Sequence, residues 1–220
     1  MATMTLARRP KVLITGFPAF PGAPVNPTEW LVSTLNHEDV ETAVIPCVYA
    51  EVGSVLEGLG RKFDPDIVIH FGLSRQAEGF VLEARARNAC RADLLDNSGL
   101  SFGTGPISAF SPEFVPASLP NAEICLQLKK AGYPADISDD AGGYLCNFAF
   151  YHSAGRLIPV LRSKMIGFVH VPPFTRMPKI DLLNGTGVII KVCCDVWGET
   201  GLQQPCDPSC ESPHLDPLLR

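Results

Sequence analysis

The chain lacks the features that would place it at a membrane, on a polyanion or outside the cell. No stretch reaches the roughly 18–20 consecutive apolar residues of a membrane helix, so a helical span is not expected. There is no excess of positive charge. Eighteen Lys and Arg stand against 23 Asp and Glu, a formal net charge of −5, which argues against nucleic acid because phosphate binding needs concentrated basic residues. An export leader is not expected either. The opening MATMTLARRPKV carries an arginine pair followed only by Val12, Leu13 and Ile14 before Gly16 and Pro18, too short a run for a signal core. Those arginines are expected in a polar tail over residues 1–10. Internal repeats are absent as well.

What is present describes a globular chain. A hydrophobic fraction of 46% and a charged fraction of 19% exclude disorder and allow one domain with a sizeable core. Eight cysteines are too many to ignore. However, the chain is long, carries no export signal, and places Cys47, Cys125, Cys193 and Cys194 inside apolar runs, where the thiol acts as a small hydrophobe. A reduced, cytoplasmic protein is expected.

Apolar runs and helical stripes alternate. Residues 11–17 (KVLITGF) form a β-branched run closed by glycine, and 41–46 and 66–71 (DIVIHF, stopped by Gly72) read as further strands. Asn26 and Pro27 have the chemistry of an N-cap and first helical residue, with Trp30, Leu31 and Leu35 behind them. Val52, Val55, Leu56 and Leu59 mark a helix ending near Gly60. Residues 80–87 alternate as a half-exposed strand would, and 93–118 read as loop. A helix over 121–131 starts from an Asn cap, and 135–138 is a short strand. A helix over 146–157, a strand over 165–171 and an apolar run over 188–196, compatible with strand or helix, complete the domain. This alternation predicts a single α/β domain over residues 11–198, with sites near strand C-terminal ends. Residues 199–220, with four prolines, read as a tail. Its Cys206 and Cys210 form a C-x3-C pair with only His214 nearby, too few ligands for a zinc site.

Three residues invite a chemical reading. Cys146 follows Ala141-Gly142-Gly143-Tyr144-Leu145 at the start of a helix, where unpaired N–H groups and the helix dipole favour a thiolate and could hold an oxyanion. His170 ends a buried strand, though His70 and His152 compete as imidazoles. Glu83 sits among alternating apolar residues, as a solvated edge acid or as a carboxylate fixing an imidazole tautomer. Taken singly, each has a commoner structural explanation, such as a buried thiol or a satisfied core histidine.

Taken together they resemble a known family. Thr15-Gly16-Phe17 with Phe20 and Val25-Asn26-Pro27, then Gly72, Glu83, Asn88 and Asp96-Asn97, then Ala141–Asn147 with Tyr151-His152, and finally Phe168-Val169-His170-Val171-Pro172 occur in the order of pyroglutamyl peptidase I, a cysteine peptidase family. The resemblance covers about residues 11 to 195. It implies a three-layer α/β/α sandwich around a twisted mixed sheet and a Cys146–His170–Glu83 triad working without metal or organic cofactor. Phe17 and Phe20 would sandwich the lactam of an N-terminal pyroglutamyl peptide, Leu73, Tyr144 and Leu145 would line the pocket, and Asn26 would tie down the first loop. Dimers or tetramers are common in the family. The first loop departs from the family pattern at Pro18 and Pro21, each of which fixes φ and removes an N–H. The family's usual Gln and Arg are replaced by Leu73 and Asp93, with Arg91 two residues away and given no role. A related cysteine amidase of shifted acyl preference, or a silent peptide-binding homologue, would share most of these residues.

Overall fold

The computed structural model describes residues 8–202. Chain order is β1 (Val12–Gly16), α1 (Pro27–Thr34), β2 (Val40–Val44), α2 (Tyr49–Phe63), β3 (Ile67–Leu73), β4 (Phe80–Glu83), β5 (Arg85–Arg87), β6 (Phe114–Pro116), α3 (Asn121–Lys130), β7 (Ala135–Ser138), α4 (Leu145–Ala154), β8 (Met165–Val171) and α5 (Lys179–Leu202). Six strands form one mixed sheet in the order β2-β1-β3-β8-β4-β7, while β5 and β6 make a separate antiparallel pair. β2, β1, β3 and β8 run parallel, β4 is antiparallel to β8, and β7 follows β4 in parallel.

Each face of the sheet has its own core. Val12, Ile14, Ile67, Ile69, Phe80, Leu82 and Val169 pack with residues of α1, α3 and α5. Leu13, Val68, Ile166 and Phe168 face the other way, against α2 and α4. Successive strand residues point to opposite faces, so near-continuous apolar strands are what a sheet covered on both sides requires. The three-layer sandwich expected from the sequence is therefore present.

Several elements differ from expectation for identifiable reasons. Gly72 does not stop β3; the strand runs through it to Leu73. Residues 80–87 are split into β4 and β5, and β4 is an interior strand with Glu83 only 2% exposed. β6 lies within the stretch read as loop. Asn121 is the first residue of α3 rather than its cap, and its Nδ2 donates to the Glu83 carbonyl at 3.1 Å. The ambiguous run at 188–196 is helical: buried Leu182, Thr186, Ile189, Ile190 and Cys193 recur every three to four residues. Arg8 and Arg9, read as tail, pair with Asp66 at 2.6 Å and Glu38 at 3.1 Å. Cys206, Cys210 and His214 lie outside the described residues. No helix among the described residues is long and apolar enough to cross a membrane.

Candidate active site

A row of polar or small residues crosses the sheet on the face covered by α2 and α4. Gly72 on β3 is in register with His170 on β8. Across the antiparallel pair His170 faces Val81, with Glu83 one side-chain step away on the same face, and Glu83 is in register with Ser138 on β7. The Glu83 Oε1 and His170 Nδ1 atoms are 2.7 Å apart, with side-chain exposures of 2% and 11%. A carboxylate oxygen only accepts, so Nδ1 carries the proton in this bond and Nε2 is left for another partner. Glu83 Oε2 is buried without a protein partner.

Cys146 acts on the same ring, since hydrogen bonding to it helps hold the His170 proton. This cysteine is the second residue of α4, whose N-cap Tyr144 supplies no side-chain hydrogen bond, so the first-turn N–H groups have no intrahelical acceptor. The sulfur rests against the sheet at Gly72. A Cβ at that position would lie 2.8 Å from Cys146 Sγ and 2.7 Å from Phe168 Cζ, so only glycine leaves room for the thiol. Burial works against a charged His170, but hydrogen bonding to Cys146 and Glu83, with their charges, outweighs it and raises the imidazole to about 10.

The competing histidines are structural. His70 is fully buried, with Thr15 Oγ1 at 2.6 Å from Nδ1 and Ser153 Oγ at 2.9 Å from Nε2. Burial drives it down to about 3, so it stays neutral. His152 Nδ1 meets the Phe148 carbonyl of its own helix at 2.9 Å, and burial lowers it too.

A cavity of about 520 Å³ opens beside the sulfur. Its walls include all nine residues singled out from the sequence: Phe17, Phe20, Asn26, Leu73, Glu83, Tyr144, Leu145, Cys146 and His170. The first loop is tied down at Asn26, which accepts from Thr28 N at 3.1 Å as the α1 cap and donates to the Pro18 carbonyl at 3.0 Å. Pro21 suits this loop. Phe20 and Ala23 exchange both backbone hydrogen bonds around Pro21-Gly22, and Gly22 has φ +84°, the arrangement of a type II turn. The ring of Phe20 lies 5.9 Å from that of Tyr144, and Phe17 lies 6.3 Å from Phe168.

Other residues build the site without having been assigned a role from sequence. Asp96 accepts from Tyr49 N at 2.9 Å, capping α2 from across the chain, and from Ser98 and Leu100. Asn97 donates to the Ala19 carbonyl at 3.1 Å, and Tyr144 Oη donates to the Leu95 carbonyl at 2.9 Å. This short segment thus joins the first loop, α2 and the mouth of the cavity. Asn147 is fully buried, accepts from Arg87 N at 2.8 Å and donates to the Arg87 and Ala89 carbonyls at 2.9 Å. Its signals in the sequence were a polar residue within LCNFAFY and its place in the family-like run Ala141–Asn147. Arg91 grips Asp93 through Nε at 3.0 Å and Nη2 at 2.6 Å, with its stem over Gly143. Among the described residues no group of three His, Cys, Asp or Glu is placed to hold a metal ion.

Residues 10–188 match the family model described as pyroglutamyl peptidase. The chain belongs to this family. Its relatives include a pyrrolidone-carboxylate peptidase of Pyrococcus furiosus, 38% identical over 171 residues that cover 74% of this chain and 80% of that one. Another, from Bacillus licheniformis, bears the same name and is 34% identical over 167 residues, covering 74% and 78%. The crystal structure of the pyrrolidone carboxyl peptidase of P. furiosus superposes with a TM-score of 0.76 at 32% identity, over 84% of this chain and 98% of that chain. The pyroglutamyl peptidase fold therefore accounts for the described residues almost throughout.

Proposed function

We propose that the chain is a cysteine peptidase that removes an N-terminal pyroglutamyl residue, with Cys146 as nucleophile, His170 as acid and base, and Glu83 as the carboxylate that orients the imidazole. The observation that carries this reading is the buried 2.7 Å contact between Glu83 and His170, set beside Cys146 at the base of an aromatic slot. Family membership supports the substrate class. Pyroglutamate offers a flat, uncharged lactam, and Phe17, Phe20, Tyr144 and Leu145 provide aromatic and apolar surface for it.

The Cys146 sulfur, its proton taken up by His170 Nε2, attacks the pyroglutamyl carbonyl. Free N–H groups at the start of α4 receive the negative charge that develops on oxygen. His170 then protonates the departing amine as the C–N bond breaks, leaving a thioester on Cys146. A water molecule, giving its proton to His170, hydrolyses that thioester and restores the thiol. Throughout, Glu83 keeps Nδ1 protonated and Nε2 aimed at the reacting atoms. Cys47, Cys125 and Cys193 are buried as small hydrophobes, which supports a reducing, cytoplasmic setting.

Hydrolysis of a pyroglutamyl chromogenic amide, run beside the prolyl and alanyl amides, tests the assignment. Turnover of the pyroglutamyl compound alone, abolished in Cys146→Ala, is expected. Thiol-dependent turnover of only another amide would replace this reading with a cysteine amidase of different acyl preference. Binding without any turnover would leave a silent homologue.

A further inference from the structure

On the peptidase reading, the acyl group would fill only part of the cavity. A pyroglutamyl group has eight non-hydrogen atoms, whereas a space of about 520 Å³ is of the size that holds a far larger ligand. The remainder opens past Ser138 toward Asp140 and Gly142. There it meets a smaller cavity of about 210 Å³ lined by Arg85, Arg87, Phe114, Asp139, Asp140 and Ala141, with Asp140 and Ala141 serving as walls of both. The smaller cavity lies close to the nucleophile, since the Arg87 backbone is bonded to Asn147, the residue after Cys146.

Arg85 and Arg87 are two apart on β5 and share a face. The Arg85 guanidinium lies over the Phe114 ring, 4.4 Å from its centre, and its Nε donates to the Asp139 carbonyl at 3.2 Å. Arg87 uses one nitrogen, Nη2, on Asp140 Oδ1 at 2.8 Å and the Gly142 carbonyl at 3.4 Å. Arg85 Nε also lies 3.9 Å from Asp139 Oδ1. Among the described residues its two terminal nitrogens make no hydrogen bond and form a parallel pair of donors, whereas Arg87 keeps only Nε and Nη1, which point apart. Arg91 differs, since its Nε and Nη2 are both committed to Asp93.

Building on the peptidase reading, we propose that the Arg85–Arg87 cavity is a subsite for a carboxylate of the leaving peptide. The carboxylate is either the C-terminus of a short peptide or an acidic side chain close to the scissile bond. Two parallel donors from one guanidinium match two carboxylate oxygens. At about 3.3–3.6 Å per extended residue, a leaving group of one to three residues spans the distance from the nucleophile to a neighbouring cavity.

The test compares kcat/KM for pGlu-Ala-Ala with a free terminus, its C-terminal amide, and pGlu-Ala-Glu amide. Wild type and the Arg85→Gln/Arg87→Gln double variant are assayed on all three. A pyroglutamyl coumarin amide, which has no peptide leaving group, reports folding and basal chemistry. The wild type is expected to favour a carboxylate-bearing peptide over the plain amide by about three- to tenfold, chiefly through KM. The double variant should lose that preference while hydrolysing the coumarin amide normally. Gain with pGlu-Ala-Glu amide identifies an acidic side chain as the ligand, and gain only with the free terminus identifies the C-terminus. Equal rates for all three peptides in the wild type, or a preference that survives in the double variant, would overturn the subsite. Failure of the wild type to hydrolyse the coumarin amide would instead remove the peptidase reading, and the subsite with it.

Discussion

Gly72 and Cys146 share one small volume, so the least functional-looking residue of the row is among the most constrained. Gly72→Ala would push a methyl group to within 3 Å of both the Cys146 sulfur and the buried Phe168 ring. Overpacking of this kind costs about 1–3 kcal/mol. Displacing the sulfur by a fraction of an ångström should cost more in rate than in stability, on the order of a hundredfold in kcat. Kinetics and urea unfolding of the same variant separate the two effects, and an unchanged kcat would show that the sulfur does not need this space. At His170 the raised imidazole value has a definite sign. The ring holds its proton up to about pH 10, so its share of stability is fully present below the ordinary 6.5 and lost as the pH climbs through about 10. Glu83→Gln removes one cause of the rise. The alkaline limb of its kcat/KM profile should therefore move to lower pH, and a profile with an unmoved alkaline limb would exclude Glu83 from that role.

Among the elements, α4 matters most because its start must be held against β5 and the sheet. Asn147 does this with three hydrogen bonds to backbone groups of residues 87 and 89. Asn147→Leu keeps the volume but strands a part-buried N–H and two carbonyls, at an expected cost of about 1–3 kcal/mol. The loss should show in thermal unfolding together with reduced kcat; a variant with wild-type stability would mean those groups find water. The sequence made some elements plain and hid others. Asn26-Pro27 announced α1 because capping is local chemistry, and β1, β3 and β8 stood out as continuous apolar runs. β4 was misread as half-exposed because period-two alternation means a solvated face only when the polar positions meet water, and Glu83 meets His170 instead. β6 is three residues long with its partner β5 nearly thirty residues earlier, too short and too remote for periodicity to show. The grouping of Cys146, His170 and Glu83 was legible through resemblance rather than pattern. The stitching by Asp96, Asn97 and Asn147 was not, since only folding reveals which backbone groups lack partners.

On the scale of the whole molecule, the two faces of the sheet carry different loads. α1, α3 and α5 close an apolar core, while α2 and α4 cover the face that holds the site. Burial raises Cys47, Cys90 and Cys193 to about 12 and Cys194 in the same direction, so these thiols stay protonated and unreactive near neutrality. Iodoacetamide at one equivalent should label Cys146 in step with lost activity, as mass mapping of the modified peptide would reveal; label and inactivation tracking another of the described thiols would contradict the assignment. His70 links the strands to α4 as a neutral ring. Because its folded value of about 3 lies below the unfolded 6.5, stability is retained above pH 6.5 and lost as the pH falls toward 3. Unfolding free energies at pH 7 and pH 4 should differ more in the wild type than in His70→Gln, and equal differences would refute this.

The sheet forms a rear wall for the Cys146 sulfur at Gly72, and the cavity opens beside it. Approach to the carbonyl is thereby one-sided. An acyl group seated flat between the rings must offer one particular face of its C=O plane, and its mirror image, seated equally well, would offer the opposite one. On the peptidase reading, handedness at the acyl carbon would be set by the wall behind the sulfur as well as by the grip on the ring.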